Sequence, residues 1–347
     1  MSGEIFSGNV FVFHSFDIGD DINLEKIKED KHIDRKLVAP SKYFKNYHIP
    51  LTIELPKPYN TNNNENSHCV SARLHNFGVI SLVYKIKFEE TLENLRIKIN
   101  DIDNIYNEQS VLDAGIIFKQ IKDYIKQPRF FHLRRSYVLI QVNPKDTITD
   151  TVKLKSDFGS TIASLLRFET ETLSEYQKND ILDGAIGYFR GDLIIIDTES
   201  SFVYDDEFEE FLDFFEFANI QQLELQYFDR VLDAQLNKVY KREKQSLPFS
   251  SFLPFVSAIS SDPIDDLGKL RVDISVITEQ LESSVKFAGE PYYSELYQIL
   301  AEKLELKNWK DSIDRKLTIV QDIRNVYQHK TDIVREDLLS VLVILLI

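Results

Sequence analysis

The 347-residue sequence contains a single cysteine, Cys69, so it cannot form an intramolecular disulfide. This scarcity suits a reducing compartment. The sequence also has no apolar run near the roughly 20 residues that span a bilayer, and its first residues lack the basic segment of a secretory signal. We therefore expect a cytoplasmic protein whose membrane contact, if any, is peripheral or made by its C-terminal tail.

Recognisable catalytic and phosphate-binding signatures are missing as well. There is no G-x-S-x-G, no P-loop and no G-x-G-x-x-G. His68, Cys69 and His75 are close in sequence, but no second cysteine or paired histidine spacing supports zinc. We expect a non-enzymatic protein with no catalytic residues, no cofactor and no metal. An enzyme with an unrecognised, convergent site stays open as an alternative.

Basic residues are outnumbered, 41 against 56 acidic ones, and the net charge is −15. Such a field repels phosphate backbones, so nucleic-acid binding is disfavoured in general. Between Lys119 and Arg135, however, cations cluster around Phe130 and Phe131. This patch could bind RNA or another polyanion, or it could be a helix C-terminus followed by a charged strand edge. The candidate anion-binding residues are Lys126, Arg129, Arg134 and Arg135.

An acidic block lies between Asp197 and Asp233, where 12 acidic residues occur with one base, Arg230. One interpretation is a cation site or a docking face for a basic partner. The other is the solvated face of a long helix with acids near its positive end, and the sequence favours this one.

Hydrophobic residues make up 43% and aromatic residues 12% of the chain, which is typical of a globular protein. Apolar runs over residues 8–16, 69–75, 77–87 and 134–142 predict strands, and Gly78 within the third run indicates a bulge or a close backbone approach. The three- and four-residue steps over 89–125 predict a helix.

Residues 158–170 and 173–182 are expected to form two further helices, the second with Ser174 as its N-cap. Three short runs over 184–205 predict a β-meander. We predict an α+β protein in which residues 1–204 form a ferredoxin-like or related α/β sandwich.

Residues 205–347 are expected to form a second, helical domain. No proline or glycine occurs between Asp205 and Leu247, which predicts a helix of about 40 residues. Heptad spacing after Asp265 indicates a bundle or an antiparallel coiled-coil hairpin, and hence a homo-oligomer. The candidate self-association residues are Leu267, Leu270, Ile274, Ile277 and Leu281.

An apolar tail, DLLSVLVILLI, closes the sequence. The tail either packs in a core or dimer interface, or it is the first half of a membrane segment. The residues proposed for membrane or assembly contact are Leu338, Leu339, Leu342, Ile344 and Leu345.

The C-terminal half also suggests a family. Two helical segments precede the apolar tail, namely FEFANIQQLELQYFDRVLDAQL (215–236) and GEPYYSELYQILAEKLELKNWKDSIDRKLTIVQDI (289–323). An earlier apolar segment is HNFGVISLVYKIKF (75–88). This order resembles the "required for meiotic nuclear division" family of uncharacterised bacterial and mitochondrial inner-membrane proteins. The resemblance implies an oligomeric scaffold or membrane tether without a known reaction. The family's acidic-aromatic pair is absent where Ser340 and Val341 stand.

These features together predict a non-enzymatic scaffold or tether that self-associates through its long helices. Its protein partner is unknown, and membrane association would be through the C-terminus. The alternative is an RNA- or polyanion-binding module that uses the basic patch.

Overall fold

A mixed seven-stranded sheet is the centre of the computed structural model. The structure describes residues 3–36, 50–55, 67–130, 133–148, 150–243 and 291–346, together with positions 272, 274, 275, 278 and 279. The strands are β1 (Ile5–Asp17), β2 (Asp21–Ile22), β3 (Leu51–Ile53), β4 (Ser67–His75), β5 (Val79–Thr91), β6 (Ile125–Lys126), β7 (Arg134–Val142), β8 (Leu193–Ile196) and β9 (Ser200–Tyr204). The helices are α1 (Leu24–Glu29), α2 (Leu92–Ile121), α3 (Thr151–Leu166), α4 (Glu175–Asp183), α5 (Glu209–Glu243), α6 (Pro291–Lys303) and α7 (Leu306–Leu346).

The strand order is β3-β4-β5-β1-β7-β9-β8, and β2 pairs separately with β6. Strand β1 is antiparallel to both β5 and β7, while β7 is parallel to β9. Helix α2 therefore connects two parallel strands that lie on either side of β1, which is a split β-α-β unit. The predicted α+β class is confirmed at this level.

Chain contacts divide the protein into two compact units. The sheet unit consists of residues 1–224 and 283–306, and the helical unit consists of residues 225–282 and 307–347. Because this boundary falls inside α5, that helix contributes to both units. A separately folding domain that starts at residue 205 stays a prediction.

Within the sheet unit, helices cover both faces of the sheet. Alternate residues of β1 point to opposite faces. Val10 and Val12 belong to the apolar cluster that includes α2 and α3, whereas the ring of Phe11 lies 5.6 Å from that of Phe208, just before α5. Tyr137 of β7 likewise stacks on Phe215 of α5 at 5.7 Å. The sheet is therefore the middle layer of three.

Several predicted elements are confirmed and others need correction. Ser174 caps α4 by accepting the backbone N–H of Gln177, as its position suggested. Residues 184–189 are not a strand, because Ile186 makes only an isolated bridge to Ile194. A tight turn follows at Gly187, where a Cβ atom would lie only 2.3 Å from the backbone oxygen of Asp192. Helix α3 begins at Thr151, seven residues before the predicted start, because Asp150 caps it.

The last helix, α7, runs without interruption through the apolar tail to Leu346. No proline or glycine follows Pro291, so nothing in the sequence interrupts it. The backbone of the tail is thus helical. The side chains of Leu338, Leu339, Leu342, Ile344 and Leu345 lie outside what the structure describes.

Candidate functional site

A concentration of buried and half-buried polar side chains lies between the sheet and the first half of α5. We call this group the polar layer. Its members are Ser15, Asp17, Arg73, Ser81, Arg129, Arg135, Asp213, Glu216, Asn219, Gln222 and Glu224. The α5 members follow one another at steps of three and two residues, from Asp213 to Glu224, so they spread over about half of the helix circumference. Strand alternation aims Ser15, Asp17 and Arg73 at the same layer.

Arg73 holds one end of the polar layer. Its Nη1 lies 2.7 Å from Asp213 Oδ1 and 2.6 Å from Glu216 Oε2. Glu216 is only 3% exposed. Burial raises the pKa of its carboxyl, although the Arg73 charge acts against that shift. Breaking this pair would leave a buried carboxylate without a counter-charge.

Arg129 holds the other end. Its Nε and Nη2 contact the two carboxylate oxygens of Asp17 at 3.1 and 3.0 Å, its Nη1 pairs with Asp20, and Nη2 donates to Gly19 O. Glu224 faces this group. Burial raises the pKa of Glu224 well above its ordinary value, repulsion from Asp17 and Asp20 adds to the shift, and Arg129 opposes it. Arg129 thus pairs with Asp17 and Asp20, while Glu224 is influenced by its charge.

Amide side chains complete the polar layer. Asn219 Nδ2 donates to Ser15 Oγ at 3.0 Å, Arg135 Nε donates to Gln222 Oε1 at 2.6 Å, and Gln222 Nε2 donates to Leu304 O at 3.0 Å. The layer therefore fixes α5 and the end of α6 against the sheet. In the part of the chain that the structure describes, no group of histidine, cysteine and acidic side chains is arranged to hold a metal ion.

The polar layer corrects the interpretation of the acidic block as a solvated helix face for part of the block, whereas Asp206, Glu207 and Glu209 around the start of α5 are exposed as that interpretation expected. Glu216 and Glu224 are each 3% exposed, and Asp197 is 2% exposed. Their partners, such as Arg73 and Arg129, come from strands and loops far away in sequence. The signal available in the sequence was the spacing of Glu216, Asn219 and Glu224 on one helical face next to apolar residues.

The predicted anion-binding residues separate into two groups. Arg129 is paired with Asp17 and Asp20, and Arg135 is bonded to Gln222. Lys126, in β6, and Arg134, at the start of β7, are exposed. The structure thus uses half of the proposed set within the polar layer and leaves the other half at the surface.

A second buried group that the sequence did not reveal lies on the opposite face of the sheet. Tyr84 Oη donates to Asp113 Oδ2 at 2.6 Å, and the ring of His14 lies 6.1 Å from that of Tyr84. Burial lowers the pKa of His14 to about 3, assisted by Arg134, and burial raises the pKa of Cys69 to about 12. At neutral pH, His14 is therefore an uncharged imidazole and Cys69 a protonated thiol.

An open cleft of about 360 Å³ lies beside the end of α3. Its lining includes Arg167, Phe168, Glu169, Gln177 and Glu199. Arg167 Nε lies 2.6 Å from Asp197 Oδ2, and Phe168 adopts φ +57°, with its carbonyl held by Asn100 Nδ2 at 2.8 Å. Both charge signs line the cleft, so its chemistry does not favour one class of ligand.

In the helical unit, the second half of α5 packs against α7. Asp229 Oδ1 accepts hydrogen bonds from Ser312 Oγ and Lys316 Nζ, both at 2.7 Å, and Lys316 also pairs with Asp233. Among the described α7 side chains of this unit, three apolar ones are buried, namely Ile313, Leu317 and Val320.

Another three apolar residues of α7 are not covered. Ile319, Val326 and Ile333 are 48%, 51% and 46% exposed. They recur at seven-residue intervals, so they form one straight row along the helix. We call them the exposed apolar row. Val326 lies about 120° around the helix from buried Val320, so the row is a separate face.

The structure describes one of the five predicted self-association residues. Ile274 is fully buried, and Leu267, Leu270, Ile277 and Leu281 lie outside the described residues. Among the helices of the described chain, none combines the length and the apolar character needed to cross a membrane.

Comparison with known proteins gives one family and one relative. The family model described as "Uncharacterized protein MJ0711, N-terminal domain" matches residues 7–210, more than half of the chain. The "Uncharacterized protein MJ0711" of Methanocaldococcus jannaschii is 25% identical over 219 residues, which is 62% of this chain. The chain covers 65% of that relative's length. No solved structure matches.

The resemblance to the "required for meiotic nuclear division" family is therefore wrong. The C-terminal segments that suggested it lie in amphipathic helices, 215–236 in α5 and the described residues of 289–323 mainly in α6 and α7. Leucine, phenylalanine and glutamate at helical spacing occur in many unrelated helices because burial of one face requires that pattern. The membrane-tethered scaffold that the resemblance implied loses that support.

Proposed function

The chain belongs to the family of the uncharacterised MJ0711 N-terminal domain, whose description names no activity, and we propose that it is a non-enzymatic, self-associating interaction protein. The observation that carries this proposal is the exposed apolar row on α7. Single exposed apolar residues are ordinary on protein surfaces. Three β-branched residues at regular seven-residue spacing are instead typical of a helix that packs against another helix.

The size of the exposed apolar row supports the same proposal. Fourteen residues separate Ile319 from Ile333, so the row extends for about 21 Å along α7. Its side chains are about half exposed, and fully burying such a side chain stabilises a complex by roughly 1.5–3 kcal/mol. A partner that covers only the exposed half gains about 1 kcal/mol from each.

The ionisable groups support a non-enzymatic role in a more limited way. Arg73, Arg129 and Arg135 are engaged inside the polar layer, where they fix α5 to the sheet. We propose further that the sheet unit is a sandwich related to the ferredoxin-like folds, on the basis of its split β-α-β unit, and that the long helices form a bundle. The coiled-coil hairpin over residues 267–281 and membrane contact through the tail stay predictions.

Light scattering after size-exclusion chromatography tests self-association. The wild-type chain should show a concentration-dependent dimer at micromolar concentrations, and Val326→Lys should be monomeric because a charge enters the exposed apolar row. Leu112→Lys is a matched control, since Leu112 is 62% exposed on α2 in the other unit. A wild-type monomer at 100 µM, or equal behaviour of the two variants, would contradict the proposal.

Polyanion binding is the second candidate, and the exposure of Lys126 and Arg134 favours it. Binding of single-stranded RNA, measured by fluorescence anisotropy, should weaken steeply with salt. The double change Lys126→Glu and Arg134→Glu should abolish it, whereas Lys238→Glu on α5 should not. Unaltered binding by the double variant would exclude this surface.

A further inference from the structure

We infer that α7 pairs with α7 of a second copy in an antiparallel arrangement, with the two-fold axis passing beside Val326. The inference rests on the proposed self-association and adds the identity of the partner surface and its direction. It is carried by the order of charges along the exposed apolar row rather than by the row alone.

Charged residues occupy the same side of α7 as the exposed apolar row. At 100° per residue, Arg315, Ile319 and Asp322 lie within about 40° of Val326 around the helix axis. Helix positions 330, 333 and 337 continue this side at the same spacing. The residues in order are Arg315, Ile319, Asp322, Val326, Lys330, Ile333 and Asp337. Charge therefore alternates between positive and negative, with an apolar residue between each pair of charges.

The order is self-complementary about Val326. In an antiparallel pair, residues equally far before and after the centre lie opposite each other. Asp322 and Lys330 are each four residues from Val326, so Asp322 lies opposite Lys330 of the second copy. Ile319 and Ile333 are each seven residues from Val326, so they also lie opposite each other. Arg315 and Asp337 are each eleven residues from Val326 and lie opposite each other, so every charge in the row faces an opposite charge.

A parallel pair would have the reverse effect. Each residue would then lie opposite its own copy, so Arg315 would face Arg315 and Asp322 would face Asp322. Facing like charges destabilise helix pairs, whereas facing opposite charges select orientation. A two-fold interface also requires each residue and its partner to exchange roles, which the antiparallel pattern satisfies.

Two of the charges in this row, those of Arg315 and Asp322, lie within the described side chains and are available for a partner. Arg315 and Asp322 are exposed, and neither forms an ion pair within the residues that the structure describes. Lys316, on the neighbouring side of the helix, is already held by Asp229 and Asp233 of α5. The side of α7 toward α5 is therefore satisfied within one copy, while the row is not.

The predicted contact is modest in size. Arg315 and Asp337 are 22 residues apart, so the paired segment is about 33 Å long. A strip about 10 Å wide along this length buries about 330 Å² on each copy, which is below the roughly 800 Å² per partner of a standard interface. The dimer should therefore dissociate in the micromolar range.

Cysteine cross-linking tests the orientation in a Cys69→Ser background. An antiparallel dimer places residue 319 opposite residue 333 of the other copy, but about 21 Å from the second residue 319. Disulfides need Cα atoms within about 7 Å. A mixture of Ile319→Cys and Ile333→Cys chains should thus give the mixed cross-linked dimer on oxidation, while each variant alone should give little.

Charge reversal supplies an independent test. Asp322→Lys should weaken the dimer at least about ten-fold, because it meets Lys330. Adding Lys330→Asp to the same chain should restore the affinity. In a parallel dimer, the single change would replace one like-charge contact by another, and the second change would rescue nothing.

The outcomes separate the inference from the proposed function. A dimer in which Ile319→Cys cross-links to itself, or in which charge exchange does not rescue, would overturn the antiparallel arrangement and leave self-association standing. A wild-type chain that stays monomeric at 100 µM would overturn both.

Discussion

Replacing Glu224 by glutamine should stabilise the protein at neutral pH. The Glu224 side chain is 3% exposed, and its Oε1 has no hydrogen-bond partner among the described residues. The charged groups that face it are Asp17 at the end of β1, Asp20 in the following loop and Arg129. Burial and the two aspartates raise the pKa of Glu224, and Arg129 only partly opposes them. Glutamine keeps the shape of the side chain and cannot ionise.

The sign and size of the effect follow from proton linkage. The unfolded chain releases the Glu224 proton near the ordinary pKa of 4.5, whereas the folded chain holds it to higher pH. Between these two pKa values the folded state binds one more proton, so the wild-type free energy of unfolding falls as pH rises. The slope reaches about 1.4 kcal/mol per pH unit. Over two pH units, the free energy of unfolding of Glu224→Gln should rise by up to about 3 kcal/mol relative to that of the wild type.

Urea unfolding followed by far-UV circular dichroism at pH 5, 6, 7 and 8 measures this difference. Trp309, the sole tryptophan, belongs to the helical unit, so its fluorescence follows that unit separately. Glu209→Gln, at the exposed start of the same helix, is the matched control and should show no such trend. If the stability difference between Glu224→Gln and the wild type did not change with pH, or if the variant were less stable throughout, the reasoning would be refuted.

Three further predictions concern stability and reactivity. Arg129→Met should destabilise the protein by about 3 kcal/mol in urea unfolding, because it leaves the buried Asp17 without its counter-charge. Gly78→Ala should cost at least about 2 kcal/mol, since Gly78 has φ +97° and a Cβ would lie 1.9 Å from a backbone oxygen. Gly115→Ala, inside α2 with only ordinary contacts at 3.5 Å, should be neutral or stabilising. Cys69, whose pKa burial raises to about 12, should react with a thiol reagent at pH 8 only after unfolding.

Much of the local structure could be predicted because its causes are local. Strand β7 has the predicted bounds, 134–142, since its continuous run of aromatic and β-branched or other apolar residues fits a strand buried on both faces. Helix α5 covers most of the predicted 40 residues because no helix breaker interrupts it. Gly78 was predicted to mark a bulge or a close backbone approach; it lies at the turn before β5, where a Cβ would meet Gly19.

The candidate site was predicted less well, because its partners are far apart in sequence. Glu216 meets Arg73 across 143 positions, and Arg129 meets Asp17 across 112. A glutamate on a helix is usually exposed, so the sequence favoured a solvated face for both Glu216 and Glu224. Only the docking of α5 on a polar sheet face reverses that expectation.

The sequence by itself determined the α+β class, the approximate positions of several strands and helices and the spacing of Ile319, Val326 and Ile333, because backbone periodicity and side-chain polarity act over a few residues. The tertiary structure decided which apolar rows are covered and which charges are paired. Val320 and Val326 are equally apolar in sequence, yet one is 1% and the other 51% exposed. That difference depends on where α5 lies against α7, which no local pattern encodes.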